Sequence, residues 1–109
     1  MSRIALTDGT GRYFDPSKAQ KWDEETTWDG RNHVSKATGS QFDHEALYRT
    51  VGGVYVLHHW SQWQGRLPRY EEITAAEAAV WLSRNDYIEG DAEQAGPDVS
   101  QAYSALEIP

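Results

Sequence analysis

Histidine, serine and carboxylate side chains, the groups that metal binding and acid–base catalysis require, gather between residues 43 and 61. His58 and His59 are neighbours on one predicted strand, so their side chains point to opposite faces and cannot easily share one ion. In the strand pairing predicted below, His44 and His59 share a face, but diagonally, about 7–8 Å apart. Two such ligands, with no cysteine or third close histidine, do not make a zinc site. We therefore expect no bound metal and no cofactor.

The sequence indicates a catalytic site no more strongly than it indicates a metal site. Ser61, His59 and Glu45 are the residue types of a catalytic triad, but no nucleophile elbow or glycine-rich oxyanion loop accompanies them. An enzyme centred on His44 and His59 stays open as an alternative. The sequence favours a protein without catalytic residues.

A binding surface is the better-supported chemistry, and it is concentrated in Trp60-Ser61-Gln62-Trp63-Gln64-Gly65. Trp60 is expected to be mostly buried on a strand, whereas Trp63 lies past the strand end between two glutamines and is expected to be exposed. Arg66 and Arg69 follow. Aromatic faces beside amide and guanidinium groups suit stacking on a base, a sugar ring or a partner's side chain. The predicted binding residues are Gln62, Trp63, Gln64, Arg66, Arg69 and Tyr55.

A β-hairpin is expected to carry these residues, with strands over residues 43–50 and 54–61. If Gly52-Gly53 is a two-residue turn, Val51 opposes Val54 and Tyr48 opposes Leu57. Alternation then places Leu47, Val56 and Trp60 on one face, which we expect to pack against a helix.

One strong helix is predicted over residues 75–84. Thr74-Ala75-Ala76-Glu77 is a capping-box sequence, and the following apolar stripe includes Trp81 and Leu82. Short strands are predicted at residues 3–7, 12–14, 32–37 and 70–73. Asp15-Pro16 resembles a helix start, so one or two helical turns are expected over residues 17–25.

The net charge of -7 is unevenly distributed along the 109 residues. Residues 1–70 carry nine Lys/Arg against eight Asp/Glu, whereas residues 71–109 carry one against nine. The last segment also contains Gly90, Gly96 and Pro97. This composition predicts a single domain over residues 1–86 and an acidic, disordered tail over residues 87–109. No apolar segment is long enough for a membrane span, and a cytoplasmic location is expected.

The segments from Leu47 to the Gly52-Gly53 turn, Val56-Leu57-His58-His59-Trp60-Ser61-Gln62-Trp63-Gln64-Gly65, and Glu77-Ala78-Ala79-Val80-Trp81-Leu82 resemble small uncharacterised bacterial proteins, some of them carried on mobile elements. The resemblance covers about residues 40–85. It implies a bacterial, intracellular accessory protein and assigns no activity to any residue.

Together these patterns predict an α+β fold in which a small antiparallel sheet of about three to five strands packs on one main helix, followed by a flexible acidic tail. The leading function is a non-enzymatic interaction module that presents Trp63 to a macromolecular partner, expected to be a protein. One alternative is a weak single-stranded nucleic-acid binder that stacks bases on Trp63, Tyr55 and Tyr70. Its phosphate contacts would be Arg66, Arg69, Arg49 and Arg12. Another is an inhibitor that mimics nucleic acid through its acidic end.

Overall fold

A four-stranded antiparallel sheet occupies the middle of the molecule, with the strand order β3-β6-β7-β8. The computed structural model describes residues 3–63 and 65–109. Within these ranges, two further hairpins, β1–β2 and β4–β5, and three helices flank the central sheet. The elements are β1 (Ile4–Ala5), β2 (Tyr13–Phe14), β3 (Gln20–Asp23), β4 (Thr26–Trp28), β5 (His33–Ser35), β6 (Asp43–Arg49), β7 (Tyr55–Ser61), β8 (Arg69–Ile73), α1 (Ala75–Arg84), α2 (Glu89–Ala95) and α3 (Pro97–Ser104).

The chain is an α+β protein, but the predicted architecture is wrong. In residues 3–63 and 65–109, eight strands form three sheets and three short helices are present, in place of one sheet packed on one main helix. Strands β1, β2 and β5 lie within the strand segments predicted at residues 3–7, 12–14 and 32–37. Strand β4 was not predicted, because its three residues are too few to show the alternation by which a strand is recognised. No helix in the described ranges is long and apolar enough to cross a bilayer.

The segment after Asp15-Pro16 forms a strand and not the predicted helical turns. Asp15 accepts hydrogen bonds from the backbone N–H and the hydroxyl of Ser17, which closes a tight turn. The chain then extends as β3, and Trp22 is buried opposite Leu47 of β6. Burial of one large aromatic ring on the sheet therefore outweighs a local helix-start signal.

The turn between β6 and β7 differs from the predicted two-residue turn. The N–H of Gly53 donates to the carbonyl of Thr50, and the N–H of Thr50 donates to the carbonyl of Val54. Gly53 adopts φ 82°, a left-handed conformation that glycine tolerates. Three residues, Val51 to Gly53, therefore separate the paired strands, as in a turn followed by a glycine bulge.

The three-residue loop shifts the predicted strand pairing by one residue. Tyr48 lies opposite Val56, and Leu47 lies opposite Leu57. Because side chains alternate, the shift moves every β7 residue to the other face relative to β6. Trp60 therefore lies on the face away from α1 and is only partly buried, contrary to the prediction that it belongs to the helix-packed core.

Each face of the central sheet supports its own apolar cluster. The larger cluster joins the sheet to the three helices and the smaller one joins it to the β1–β2 hairpin. The larger contains Trp22, Leu47, Leu57, Trp81, Leu82 and Val99 among its buried residues, and the smaller contains Leu6, Phe14, Tyr48 and Val56. The central strands are therefore covered on both sides.

Helix α1 follows the sequence prediction closely. The N–H of Glu77 donates to the Thr74 hydroxyl, and the Glu77 carboxylate accepts from the Thr74 N–H, which completes the capping box. Trp81 and Leu82 are buried against the sheet, as predicted. Val80 points away from the core and is 41% exposed.

The predicted flexible tail is wrong, because its residues form α2 and α3. Ala92, Ala95 and Val99 are fully buried and bring both helices into the larger cluster. The Tyr55 hydroxyl donates to the carbonyl of Ala95 at 2.7 Å, which ties α2 to β7. These three small apolar side chains anchor the acidic segment. The prediction of disorder was based on the low apolar content of the segment, and that average does not identify the few residues that are buried.

Val99→Ala is expected to lower the free energy of unfolding by about 2–3 kcal/mol, because two buried methyl groups are lost and a cavity remains. Val51→Ala removes the same atoms from a side chain that is 75% exposed, and should change stability by less than about 0.5 kcal/mol. Urea denaturation of both variants measures the difference. Equal stability of the two would show that α3 does not contribute to the core.

Candidate functional site

The loop between β7 and β8 presents an aromatic ring to solvent. Trp63 is 53% exposed, as the sequence predicts, and its ring contacts Phe42 with centroids 4.5 Å apart. Hydrogen bonds from two backbone N–H groups hold the loop in place: that of Gln62 donates to the carbonyl of Phe42, and that of Trp63 donates to the Ser61 hydroxyl. The ring is therefore displayed on an anchored turn.

Two arginines and a leucine follow Trp63 along the chain. The N–H of Arg66 donates to the carbonyl of Trp63, and the Arg66 guanidinium lies 3.8 Å from a carboxylate oxygen of Asp43. Leu67 is 85% exposed, and Arg69 is also exposed at the start of β8. We name the surface formed by Gln62, Trp63, Arg66, Leu67 and Arg69 the loop corner.

The structure brings together four of the six predicted binding residues. Gln62, Trp63, Arg66 and Arg69 belong to the loop corner, and Gln64 lies outside the described residues. Tyr55 does not belong to it: its ring is buried at the opposite end of β7. The one-residue error in strand pairing placed Tyr55 on the wrong face. Leu67 was not predicted, although an apolar residue in a polar loop is the signal that could have identified it.

A small cavity of about 130 Å³ lies beside the loop corner at the end of the central sheet. It is lined by Thr38, Asp43, His44, His59, Trp60, Ser61, Arg66, Leu67 and Arg69. Its volume suits one side chain or a few water molecules and is below the range of most small-molecule sites.

His59 is held between two carboxylates. Its Nδ1 lies 2.6 Å from Glu45, and its Nε2 lies 2.8 Å from Glu71. The hydrogen bond to Glu45 raises the pKa of His59 above its usual value, and the bond to Glu71 acts in the same direction against partial burial. The other Glu45 oxygen accepts from the indole N–H of Trp81 at 3.1 Å. His59 therefore links the sheet end to a core tryptophan.

This arrangement does not support a catalytic triad of Ser61, His59 and Glu45. Both ring nitrogens of His59 are occupied by carboxylates, so neither can take a proton from Ser61. The Ser61 hydroxyl itself accepts from the Trp63 N–H. His44 and His59 also lie on opposite faces of the sheet, because His44 pairs with Trp60 and Glu45 pairs with His59.

His44 forms a separate acid–base pair with Glu24. The Nδ1 of His44 is 2.7 Å from one oxygen of Glu24, whose other oxygen accepts from the Ser35 hydroxyl and the Glu45 N–H. The Nε2 of His44 is buried and has no hydrogen-bond partner among the described atoms. The hydrogen bonds of this pair join β6 to the segments that carry Glu24 and Ser35, and we assign His44 a structural role.

His58 is in a different environment from its neighbour. Its ring stacks on Tyr70 with centroids 4.1 Å apart and planes 8° apart. Burial, together with nearby Lys21 and the charge of His59, lowers the pKa of His58 to about 4. Within residues 3–63 and 65–109, no cluster of three or more His, Asp or Glu side chains is arranged to hold a metal ion.

The carboxylates of Glu24, Glu45 and Glu71 organise this region. The sequence singled out Glu45 only as a possible triad member and did not predict a role for Glu24 or Glu71. The correct strand pairing supplies the signal for one of them, since Glu45 lies directly opposite His59. Glu71 lies on the same face of the neighbouring strand, opposite Leu57. Glu24 joins the region only through the folding of β3 and β4 and has no local signal.

Adjacent His58 and His59 are expected to titrate on opposite sides of pH 6.5. In NMR titrations, the imidazole resonances of His59 should shift above pH 6.5, and those of His58 near pH 4. Coincident titration of His58 and His59 would show that neither network forms.

These pKa shifts have opposite effects on stability. The raised pKa of His59 contributes stability that is fully present below about pH 6.5 and is lost as the pH rises through its folded-state pKa. The pKa of His58 is lowered, so the unfolded state gains a proton at this residue before the folded state does. The protein therefore loses stability as the pH falls from about 6.5 towards 4. His59→Gln should therefore be most destabilising below pH 6.5, and His58→Phe should reduce the loss of stability in acid, both measured by urea denaturation.

Comparison with known proteins adds no relative to this description: the chain matches no family model, no curated protein and no solved structure. Function is therefore inferred from the loop corner and the surfaces next to it.

Proposed function

We propose that this protein is a non-enzymatic interaction module that binds a partner protein through the loop corner. The observation that carries the proposal is the exposure of Trp63 and Leu67 on one anchored loop. Exposed apolar side chains grouped in this way are costly in water and are typical of binding surfaces. Tryptophan and arginine are also the residues most enriched among energetic hot spots of protein interfaces.

The anchoring of the loop supports this function. The hydrogen bonds from Gln62, Trp63 and Arg66 hold the turn before any partner arrives. The contact between Trp63 and Phe42 limits the positions that the indole can take. Less conformational entropy is then lost on binding, so more of the contact energy contributes to affinity.

A protein partner fits these features better than single-stranded nucleic acid. The stacking surface that a nucleic acid would need is not assembled, because Tyr55 is buried and the ring of Tyr70 already stacks on His58. Arg12, a candidate phosphate contact, is paired with Glu72 at 2.6 Å. The net charge of -7 also repels a polyanion.

The charge of the loop corner indicates the polarity of the partner. Arg66 and Arg69 are exposed, and Asp43 is the neighbouring acid, 3.8 Å from Arg66. An acidic surface beside an apolar pocket would complement this corner. Such complementarity increases the association rate and the specificity more than it increases the affinity.

Trp63→Ala is expected to weaken partner binding by about thirtyfold, which corresponds to a hot-spot loss of about 2 kcal/mol, while the stability changes little. Trp28→Ala is the matched control, because Trp28 is a tryptophan of similar exposure, 59%, on the separate β4–β5 hairpin. Proteins that the wild-type protein captures from cells of its source are identified first. The affinity of each purified partner is then measured for the wild-type protein and for the two variants.

The result that supports the proposal is a partner whose binding falls with Trp63→Ala and is unchanged with Trp28→Ala. Equal binding by all three chains, or an equal loss with both substitutions, would refute the role of the loop corner. Arg66→Glu should lower the association rate and reduce its dependence on salt.

A further inference from the structure

A groove of about 410 Å³ lies between α1 and the β7–β8 side of the central sheet, a volume within the usual range of ligand sites. Leu57 and Ile73 form its sheet side, and Val80 and Trp81 form its helix side. The partial exposure of Val80 leaves apolar surface open to solvent along the groove. Such a surface can bury the apolar part of a ligand.

Four ionisable residues line this groove, and three of them are acids. Glu45, Glu71 and Glu77 face a single basic residue, Arg84. The guanidinium of Arg84 donates to the carbonyl of Ala37, which directs part of its hydrogen-bonding capacity to the backbone. Including His59, which contacts two of the acids, the carboxylates still outnumber the cations by one.

Two of the carboxylates retain an oxygen for a ligand. Both oxygens of Glu45 are used, by His59 and Trp81. Glu71 uses Oε1 for His59, and Glu77 uses Oε1 for the cap of α1. In the described part of the chain, Oε2 of Glu71 and Oε2 of Glu77 have no hydrogen-bond partner. A donor in the groove can therefore pair with either oxygen without breaking a contact of the fold.

We propose that this groove binds a small organic cation with an apolar body, an alkyl- or arylalkylammonium ion. The apolar body lies against Ile73, Val80 and Trp81, and the ammonium group donates to the unused oxygens of Glu71 and Glu77. An anion of the same shape meets the excess of carboxylates and is repelled. The site is separate from the loop corner and does not depend on the function proposed for it.

The probe for this site is 2-phenylethylamine, which is protonated at neutral pH. The indole N–H resonance of Trp81 in the ¹⁵N spectrum reports on the groove, because this N–H bonds to Glu45 at its wall. Added amine should shift the resonance saturably, with a dissociation constant in the millimolar range for so small a ligand. The matched anion 3-phenylpropionate should give no saturable shift at equal concentration.

Substitutions of the two acids test the polar contact. Glu71→Gln and Glu77→Gln keep an oxygen for His59 and for the helix cap, so both variants should fold. Each should weaken amine binding by about 1.5- to fivefold, the range of a solvent-exposed ion pair. Glu93→Gln is the matched control, because it removes the same charge from an exposed site on α2. Val80→Lys places an ammonium group beside the groove and should abolish the shift.

Three results would overturn the proposal: equal binding of the amine and the anion, equal affinity in Glu71→Gln, Glu77→Gln and wild type, or equal loss in Glu93→Gln. Trp63→Ala should bind the amine as wild type does, whether or not the loop corner binds a protein.

Discussion

The left-handed conformation of Gly53 is the constraint on which much of this structure depends. It closes a three-residue loop and thereby fixes which residue of β7 lies opposite each residue of β6. A side chain at this position would be strained, because L-residues rarely adopt φ near 82°. The pairing places Leu47 beside Leu57 under α1 and Glu45 beside His59 at the sheet end. The core and the polar network are therefore set by one turn.

The polar network at the sheet end is joined to the core through Trp81. The indole N–H of this buried ring needs an acceptor, and Glu45 supplies it. Glu45 is itself only 14% exposed and is stabilised by His59. Loss of His59 would leave a largely buried carboxylate without its cationic partner, which is expensive in a region of low dielectric constant. His59 therefore stabilises the packing of α1 as well as the end of the sheet.

Local signals in the sequence were sufficient for some elements. The Thr74 and Glu77 pair predicted the start of α1, because a capping box involves only neighbouring residues. The exposure of Trp63 followed from its position past the strand end. The pairing of β6 with β7 could not be predicted, since two glycines in sequence allow both a two-residue and a three-residue loop. One residue of difference then reversed the face of Tyr55, His59 and Trp60.

The C-terminal helices illustrate a different limit of prediction from sequence. Val99 and Ala92 are buried only because α1 and the sheet provide a surface for them. The composition of the C-terminal segment carries no information about that surface. The same limit applies to Glu24, which reaches His44 through the path of β3 and β4. Long-range contacts of this kind depend on the tertiary structure, so a single sequence gives them no periodic pattern.

Strand β8 connects the loop corner with the groove. Arg69 and Glu71 are two residues apart, so their side chains lie on the same face of the sheet. Arg69 lies opposite His59, and Glu71 hydrogen-bonds to it. His59 therefore lies between the basic loop corner and the acidic groove, and its charge affects the electrostatic potential of both. When His59 loses its proton, the negative charge of Glu71 is less neutralised, so cation binding in the groove should strengthen as the pH rises through the pKa of His59.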